Sequence, residues 1–142
     1  MFLMPIICLH GISGCDVFKS SEIFLDASQR ALDAVTKPDL ITLDLAVIEV
    51  GNVAWKQVTL FGRDRDLTLK ALQKCQTFIS EACDVVRAQD MMAKAYDISI
   101  VTTASFYDSL FLALAEKEQV PLLTLDKKLY NKANSSFNVQ LI

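Results

Sequence analysis

Three acidic residues stand inside apolar stretches, and their type suits metal-assisted chemistry. Glu49 interrupts Leu45-Ala46-Val47-Ile48-Glu49-Val50, and on a helix it would share a narrow polar stripe with Asn52 and Lys56 on an otherwise buried element. Asp108 lies in Phe106-Tyr107-Asp108-Ser109-Leu110-Phe111-Leu112, where its helical neighbours Phe111, Leu112 and Ala115 are all apolar. Asp126 ends Pro121-Leu122-Leu123-Thr124-Leu125-Asp126, and strand alternation points it to the same side as Thr124. An ionised carboxylate taken out of water needs a cation or hydrogen bonds in compensation. Several that converge repel one another, and a hard divalent ion such as Mg²⁺ or Mn²⁺ relieves that repulsion. A cation held in this way can make water nucleophilic and stabilise a phosphoryl transition state.

Each residue also has a plainer role open to it. Glu49 can face solvent with Lys56 further along the same stripe. Ser105-Phe106-Tyr107-Asp108 has the spacing of a capping box, although Glu or Gln is the better last member. Asp126 can cap the helix that follows it. Other catalytic signatures are missing: the chain has no P-loop, no G-x-S-x-G and no G-x-G-x-x-G. His10 is the single histidine and has no strong partner motif, which argues against Ser-His or Cys-His nucleophiles. Cys8, Cys15, Cys75 and Cys83 form no C-x-x-C pair, so free buried thiols are expected and zinc is not.

The elements that would position these groups alternate between strand and helix. Residues 1–9 are a continuous apolar run bounded by His10-Gly11 and Gly14, the pattern of a buried first strand. Residues 20–35 carry apolar side chains at helical spacing, and Lys37-Pro38 stops that helix. A short strand at 39–43 leads into a helix at 44–60, apolar nearly all round and closed by Phe61-Gly62. A third helix follows at 64–80, then a brief strand at 84–87 and a short helix at 89–96. Residues 98–101 fit strand or loop, and 104–118 form a strong helix. A strand at 121–125, helical turns at 126–133 and a strand at 138–142 come last. This alternation predicts an α/β fold, one domain over 1–142 with a central parallel sheet flanked by helices. Ligands of such sheets bind beyond the carboxyl ends of the strands, where the acidic residues are expected to converge.

Length and composition narrow the possibilities further. The 142 residues suffice for one ordinary domain. With 52% hydrophobic and 22% charged residues, the chain has the apolar surface that a disordered segment lacks. Four Gly and three Pro leave no flexible linker. A formal charge of −3 excludes nucleic-acid binding through the net field, and leaves it to a local basic patch. No apolar run reaches the roughly 18 residues of a membrane span. Ile12-Ser13-Gly14-Cys15 has the look of a lipoprotein cleavage box, but the first basic residue is Lys19. A signal peptide needs a basic start, so a cytoplasmic protein is expected.

The order of these motifs resembles the PIN-domain nucleases. Leu45-Ala46-Val47-Ile48-Glu49-Val50-Gly51-Asn52-Val53-Ala54-Trp55-Lys56 is similar to their second acidic motif. Tyr107-Asp108-Ser109-Leu110-Phe111-Leu112-Ala113-Leu114-Ala115 resembles the third. Leu122-Leu123-Thr124-Leu125-Asp126-Lys127-Lys128-Leu129 resembles the fourth, and the 18-residue step from Asp108 to Asp126 also suits the family. The resemblance runs from about residue 20 onward. It implies a small α/β domain whose acidic cluster binds Mg²⁺ or Mn²⁺ and hydrolyses phosphodiesters, usually of RNA. Glu49, Asp108 and Asp126 would be the catalytic metal-binding residues, with Thr124 a supporting hydroxyl. Short stand-alone members are mostly VapC-like toxins of toxin–antitoxin pairs, commonly homodimers held inactive by an antitoxin protein.

The first motif departs from that pattern. The family ends its first strand with Asp, and His10 falls in that slot. Asp16 lies six residues on and would reach the site only through a bulge. Phe24-Leu25-Asp26-Ala27-Ser28 mimics the motif but leaves too few residues before Asp44 for the two helices expected between them. Asp26 therefore reads as the polar face of the helix at 20–35. Two functions follow: a metal-dependent endoribonuclease toxin, or a catalytically weakened PIN domain acting as a binding or regulatory subunit. A receiver domain would need an acidic pair after the first strand, which His10-Gly11 does not supply.

Overall fold

The computed structural model describes residues 6–7, 40–124 and 126–142, and of residues 6–7 the backbone alone. The expected helix at 20–35 lies outside them, as do His10, Asp16, Asp26, Cys8 and Cys15. In chain order the elements are β1 (Ile6–Ile7), β2 (Leu40–Leu43), α1 (Leu45–Thr59), α2 (Arg65–Ala82) and β3 (Cys83–Val86). A 3₁₀ turn (Ala88–Met91) then leads to α3 (Met92–Thr102), α4 (Phe106–Glu118), β4 (Leu122–Thr124), α5 (Lys127–Ala133) and β5 (Val139–Leu141).

The strands form one sheet in the order β3-β2-β1-β4-β5. Every pairing is parallel, with Ile6 opposite both Ile41 and Leu122, Leu40 opposite Cys83, and Leu122 opposite Val139. β2 and β4 are buried along their whole length, as strands covered on both faces must be. The edge strands β3 and β5 are partly exposed. The apolar opening run thus supplies the central strand, at Ile6–Ile7.

α4 is the core helix. Residues 108–115 are buried without a break, and Phe111, Leu112 and Leu114 are wholly enclosed. A helix apolar all round belongs inside, and this one packs against β1, β2 and β4. Gln119 ends it at φ 54°, and its N–H bonds to the Ala115 and Glu116 carbonyls, after which Pro121 admits only extended chain. The segment Ala88–Thr102 and α4 are bent by 112° across Thr103, which sits at φ 58°. Among the described residues no single helix is long and apolar enough to cross a membrane.

Two expectations are corrected. Residues 98–101 are helical, because Ala95, Ile98 and Thr102 recur at helical spacing on the buried side of α3. The Thr102 hydroxyl also donates to the Ile98 carbonyl at 2.8 Å, closing that turn. β-branched residues at 98, 100 and 101 suggested a strand, and tertiary burial overrides that preference. The helix at 44–60 forms as α1 but is not buried all round. Ala46 is its fully buried residue, while Ile48 and Trp55 are 70% and 56% exposed. Gly62, at φ 63°, turns the chain so that the Arg63 N–H reaches the Gln57 carbonyl.

Candidate active site

Topology sets the expected acids at the carboxyl edge of the sheet. β2 runs straight into α1, so Glu49 stands in the second turn of a helix that starts at that edge. α4 joins β4 through the tight connection at 119–121 and therefore runs back against it. Its first turn, with Asp108, returns to the carboxyl edge. Asp126 follows β4 by two residues. The strand order reverses between β1 and β4, and open parallel sheets bind ligands in the crevice at such a reversal.

Asp108 is the most informative of the three. It is buried, 8% exposed, at the third position of α4. Ser105 caps that helix: its hydroxyl oxygen accepts from the Asp108 N–H at 3.1 Å. The same hydroxyl donates its proton to Asp108 Oδ2 at 2.7 Å. The Ser109 hydroxyl donates to the Ser105 carbonyl at 2.8 Å, which stiffens the turn. The capping role is therefore real, and it engages one carboxylate oxygen only. Asp108 Oδ1 is buried with no hydrogen-bond partner among the described residues. A buried acceptor left in this state is costly, and the helix dipole offsets only part of the cost.

Asp126 caps α5, its Oδ1 accepting from the N–H groups of Lys128 at 2.8 Å and Leu129 at 3.1 Å. Thr124, fully buried, accepts from the Asp126 N–H at 3.0 Å through its hydroxyl. It thereby holds the backbone of Asp126 in place. Glu49 is half-buried, with Oε2 enclosed by protein; Asn52 is exposed and Lys56 half-buried. Among the described residues, no three His, Cys, Asp or Glu side chains are gathered closely enough to hold a metal ion. Of the expected first-strand ligands, His10 and Asp16 lie outside those residues. The donors present are carboxylate oxygens, the chemistry that hard cations take, and the orphaned Asp108 Oδ1 suits such an ion.

Three contacts were missed by the sequence reading. Asp44 does not cap α1. Its Oδ1 accepts from the Ala88 N–H at 2.8 Å, and its own N–H donates to the Val86 carbonyl at 2.9 Å. It thereby ties the turn after β2 to the turn after β3, and only its position at a strand–helix junction hinted at this. Lys132 donates to the Thr103 carbonyl at 2.9 Å, fastening α5 to the loop that carries Ser105. Nothing in its local sequence signals that bond. The proton given by Ser105 is the third, hidden because a capping box read from sequence shows only the accepting role.

Two cysteines lie among the described residues, away from the candidate acids. Cys75 and Cys83 are free, and Cys75 is exposed on α2 where burial was expected. α2 presents mostly polar or exposed surface, with Ile79 its fully buried residue. Partial desolvation pushes both thiols above their ordinary range, and the charge of Asp84 raises Cys83 further. Thiols so shifted are poor metal ligands near neutrality.

The PIN domain family matches residues 16–135, and the chain belongs to that family. It is 32% identical over 108 residues to "Ribonuclease VapC3" of Pyrobaculum aerophilum, across 75% of this chain and 82% of the relative. Its fold is shared with the crystal structure of PAE2754 from Pyrobaculum aerophilum, at a TM-score of 0.66 and 19% identity. That match spans 92% of this chain and 79% of the other.

Substitution separates the cap that Asp126 makes from the metal ligation expected of it. Asn caps a helix about as well as Asp, whereas Ala costs about 1 kcal/mol. Asp126→Asn should keep the thermal midpoint and weaken Mn²⁺ binding, and Asp126→Ala should lower both. Wild-type Mn²⁺ affinity in both variants would leave Asp126 as a helix cap alone.

Proposed function

We propose that this chain is a metal-dependent endoribonuclease that hydrolyses phosphodiester bonds in RNA, the toxin of a toxin–antitoxin pair. The observation that carries the reading is the buried Oδ1 of Asp108, unsatisfied among the described residues, at the carboxyl edge of a PIN-family sheet. The likeness to a VapC ribonuclease supports it. Asp108 would hold Mg²⁺ or Mn²⁺, and Glu49 and Asp126, set toward the same edge of the sheet but not gathered with it among the described residues, are the further ligands that family resemblance implies. When bound, the ion supplies Lewis-acid stabilisation of charge on the phosphate and makes water nucleophilic at neutral pH. Ser105 fixes the Asp108 carboxylate, Thr124 fixes the backbone of Asp126, and Asp44 holds the turn that starts α1. Exposed Lys127 and Lys128, directly after Asp126, offer positive charge to an RNA backbone. The test is cleavage of a generic RNA with Mg²⁺ or Mn²⁺ and with a chelator. Cleavage indifferent to chelation would overturn the metal role. No cleavage at saturating metal would favour the weakened PIN domain that binds without cutting, the reading to which the His10 slot points.

Partners follow the same reading. An antitoxin protein and a second copy of the chain would cover exposed apolar side chains such as Trp55, Leu67, Tyr96 and Ile100, all more than half exposed. Sedimentation at micromolar concentration should show a dimer, and a monomer alone would count against it. The working place is the cytoplasm, with no membrane partner.

His10 bears on the choice of ion. With an imidazole in the first slot, the cluster has one carboxylate fewer, and imidazole is a better ligand for Mn²⁺ than for Mg²⁺. Mn²⁺ should be preferred, and His10→Asp should strengthen Mg²⁺ binding and raise RNA cleavage. If Asp16 reaches the site instead, His10→Asp will leave metal affinity unchanged and Asp16→Asn will destroy it.

A further inference from the structure

We propose that Ser105 determines metal selectivity by deciding which oxygen of Asp108 is offered to a cation. The inference rests on the divalent-cation reading of that carboxylate and goes beyond it, to a residue outside the acidic set.

The Ser105 hydroxyl carries one proton, and the helix cap already uses its oxygen as an acceptor for the Asp108 N–H. The proton goes to Oδ2 of the same aspartate at 2.7 Å, so cap and carboxylate lock each other in one geometry. Ser109 holds the Ser105 carbonyl through both its N–H, at 2.9 Å, and its hydroxyl, at 2.8 Å. The result is a carboxylate with one oxygen committed and the other, Oδ1, buried and unsatisfied among the described residues. Such an aspartate gives one oxygen to an incoming ion. To give both, Oδ2 would have to share itself between the Ser105 proton and the ion.

Cations differ in what they ask of a carboxylate. Mg²⁺ wants a small, near-octahedral shell and takes single oxygens, and Mn²⁺ accepts the same oxygen donors. Ca²⁺ takes six to eight oxygens at longer range and accepts a carboxylate by both oxygens. A hydroxyl that withholds Oδ2 therefore disfavours Ca²⁺ relative to the smaller ions. Groups behind a ligand commonly change metal affinity by roughly 10–100-fold, which is ample for selection.

The experiment measures Mn²⁺ and Ca²⁺ dissociation constants of the whole chain by calorimetry, with Mn²⁺ also followed by its EPR signal. Ser105→Gly removes the hydroxyl while keeping a tolerated cap residue, and Ser105→Ala is a second hydroxyl-free variant. Ser105→Thr retains both hydrogen bonds. The ratio of Ca²⁺ to Mn²⁺ affinity should rise by about tenfold in the Gly and Ala variants and stay at the wild-type value in the Thr variant. A residue that only capped the helix would lower the melting temperature and leave this ratio alone. An unchanged ratio in a folded Gly or Ala variant that still binds Mn²⁺ overturns the role of Ser105 and spares the metal site. A wild-type chain that binds neither ion overturns both.

Discussion

Asp108→Asn should abolish metal-dependent RNA cleavage and leave the fold intact. The amide is the same size, its oxygen can accept the Ser105 hydroxyl, and its N–H₂ replaces the buried oxygen that has no partner among the described residues. Folding therefore loses nothing that the structure shows to be stabilising. Without metal the variant should melt at or above the wild-type temperature, because an unsatisfied buried carboxylate oxygen is a cost that Asn reduces. Cleavage should fall by more than the roughly 100-fold expected for a residue standing behind a ligand, since the part proposed for Asp108 is that of the charged ligand itself. The two readouts point in opposite directions, which a general loss of structure cannot imitate. An Asn variant that cleaves RNA at the wild-type rate would remove Asp108 from the chemistry.

The sheet was legible because its strands are short apolar runs set between helical periods. Pro121-Leu122-Leu123-Thr124 could scarcely be anything other than a buried strand, and β4 occupies it. α4 was legible for a related reason: its capping serine, its unbroken apolar length and the stop at Gln119-Val120-Pro121 all agree. Where local signals conflict, tertiary burial decides. β-branched 98, 100 and 101 lose to the helical spacing of Ala95, Ile98 and Thr102. α1 failed in the other direction. Its all-round apolar sequence implied burial, yet Ile48 and Trp55 face outward.

Of the candidate site, the sequence offers residue types alone. Acid in apolar context singled out Glu49, Asp108 and Asp126, and topology sets all three toward one edge of the sheet. The sequence had no way to show that Asp108 would have an oxygen without a partner among the described residues while Asp126 was engaged by two backbone N–H groups. Nor could it show contacts that join residues far apart in the chain. The Asp44 to Ala88 bond spans 44 positions and the Lys132 to Thr103 bond 29. Such contacts depend on how turns at neighbouring strand ends come together, and no local pattern encodes that.

Phe111→Ala should have the largest effect on stability, and it separates the scaffold from the chemistry. Phe111 is wholly buried in the middle of α4, one turn beyond Asp108, in a helix that packs against β1, β2 and β4. Truncating a buried Phe to Ala costs about 3–5 kcal/mol, through lost transfer energy and the cavity left behind. Domains of this size hold about 5–15 kcal/mol in total, so the variant should remain folded at low temperature with a much reduced margin. Its thermal midpoint should fall by roughly 10–20 °C. Well below that midpoint Ser105 still caps α4, so Mn²⁺ affinity should remain close to wild type. Cleavage should then disappear on heating together with the circular dichroism signal, at a temperature where the parent still cuts. Phe111→Leu refills most of the volume and should recover most of the midpoint. If Phe111→Ala melts within a few degrees of the parent, α4 is not the core helix, and the placement of Asp108 by a rigid scaffold fails with it.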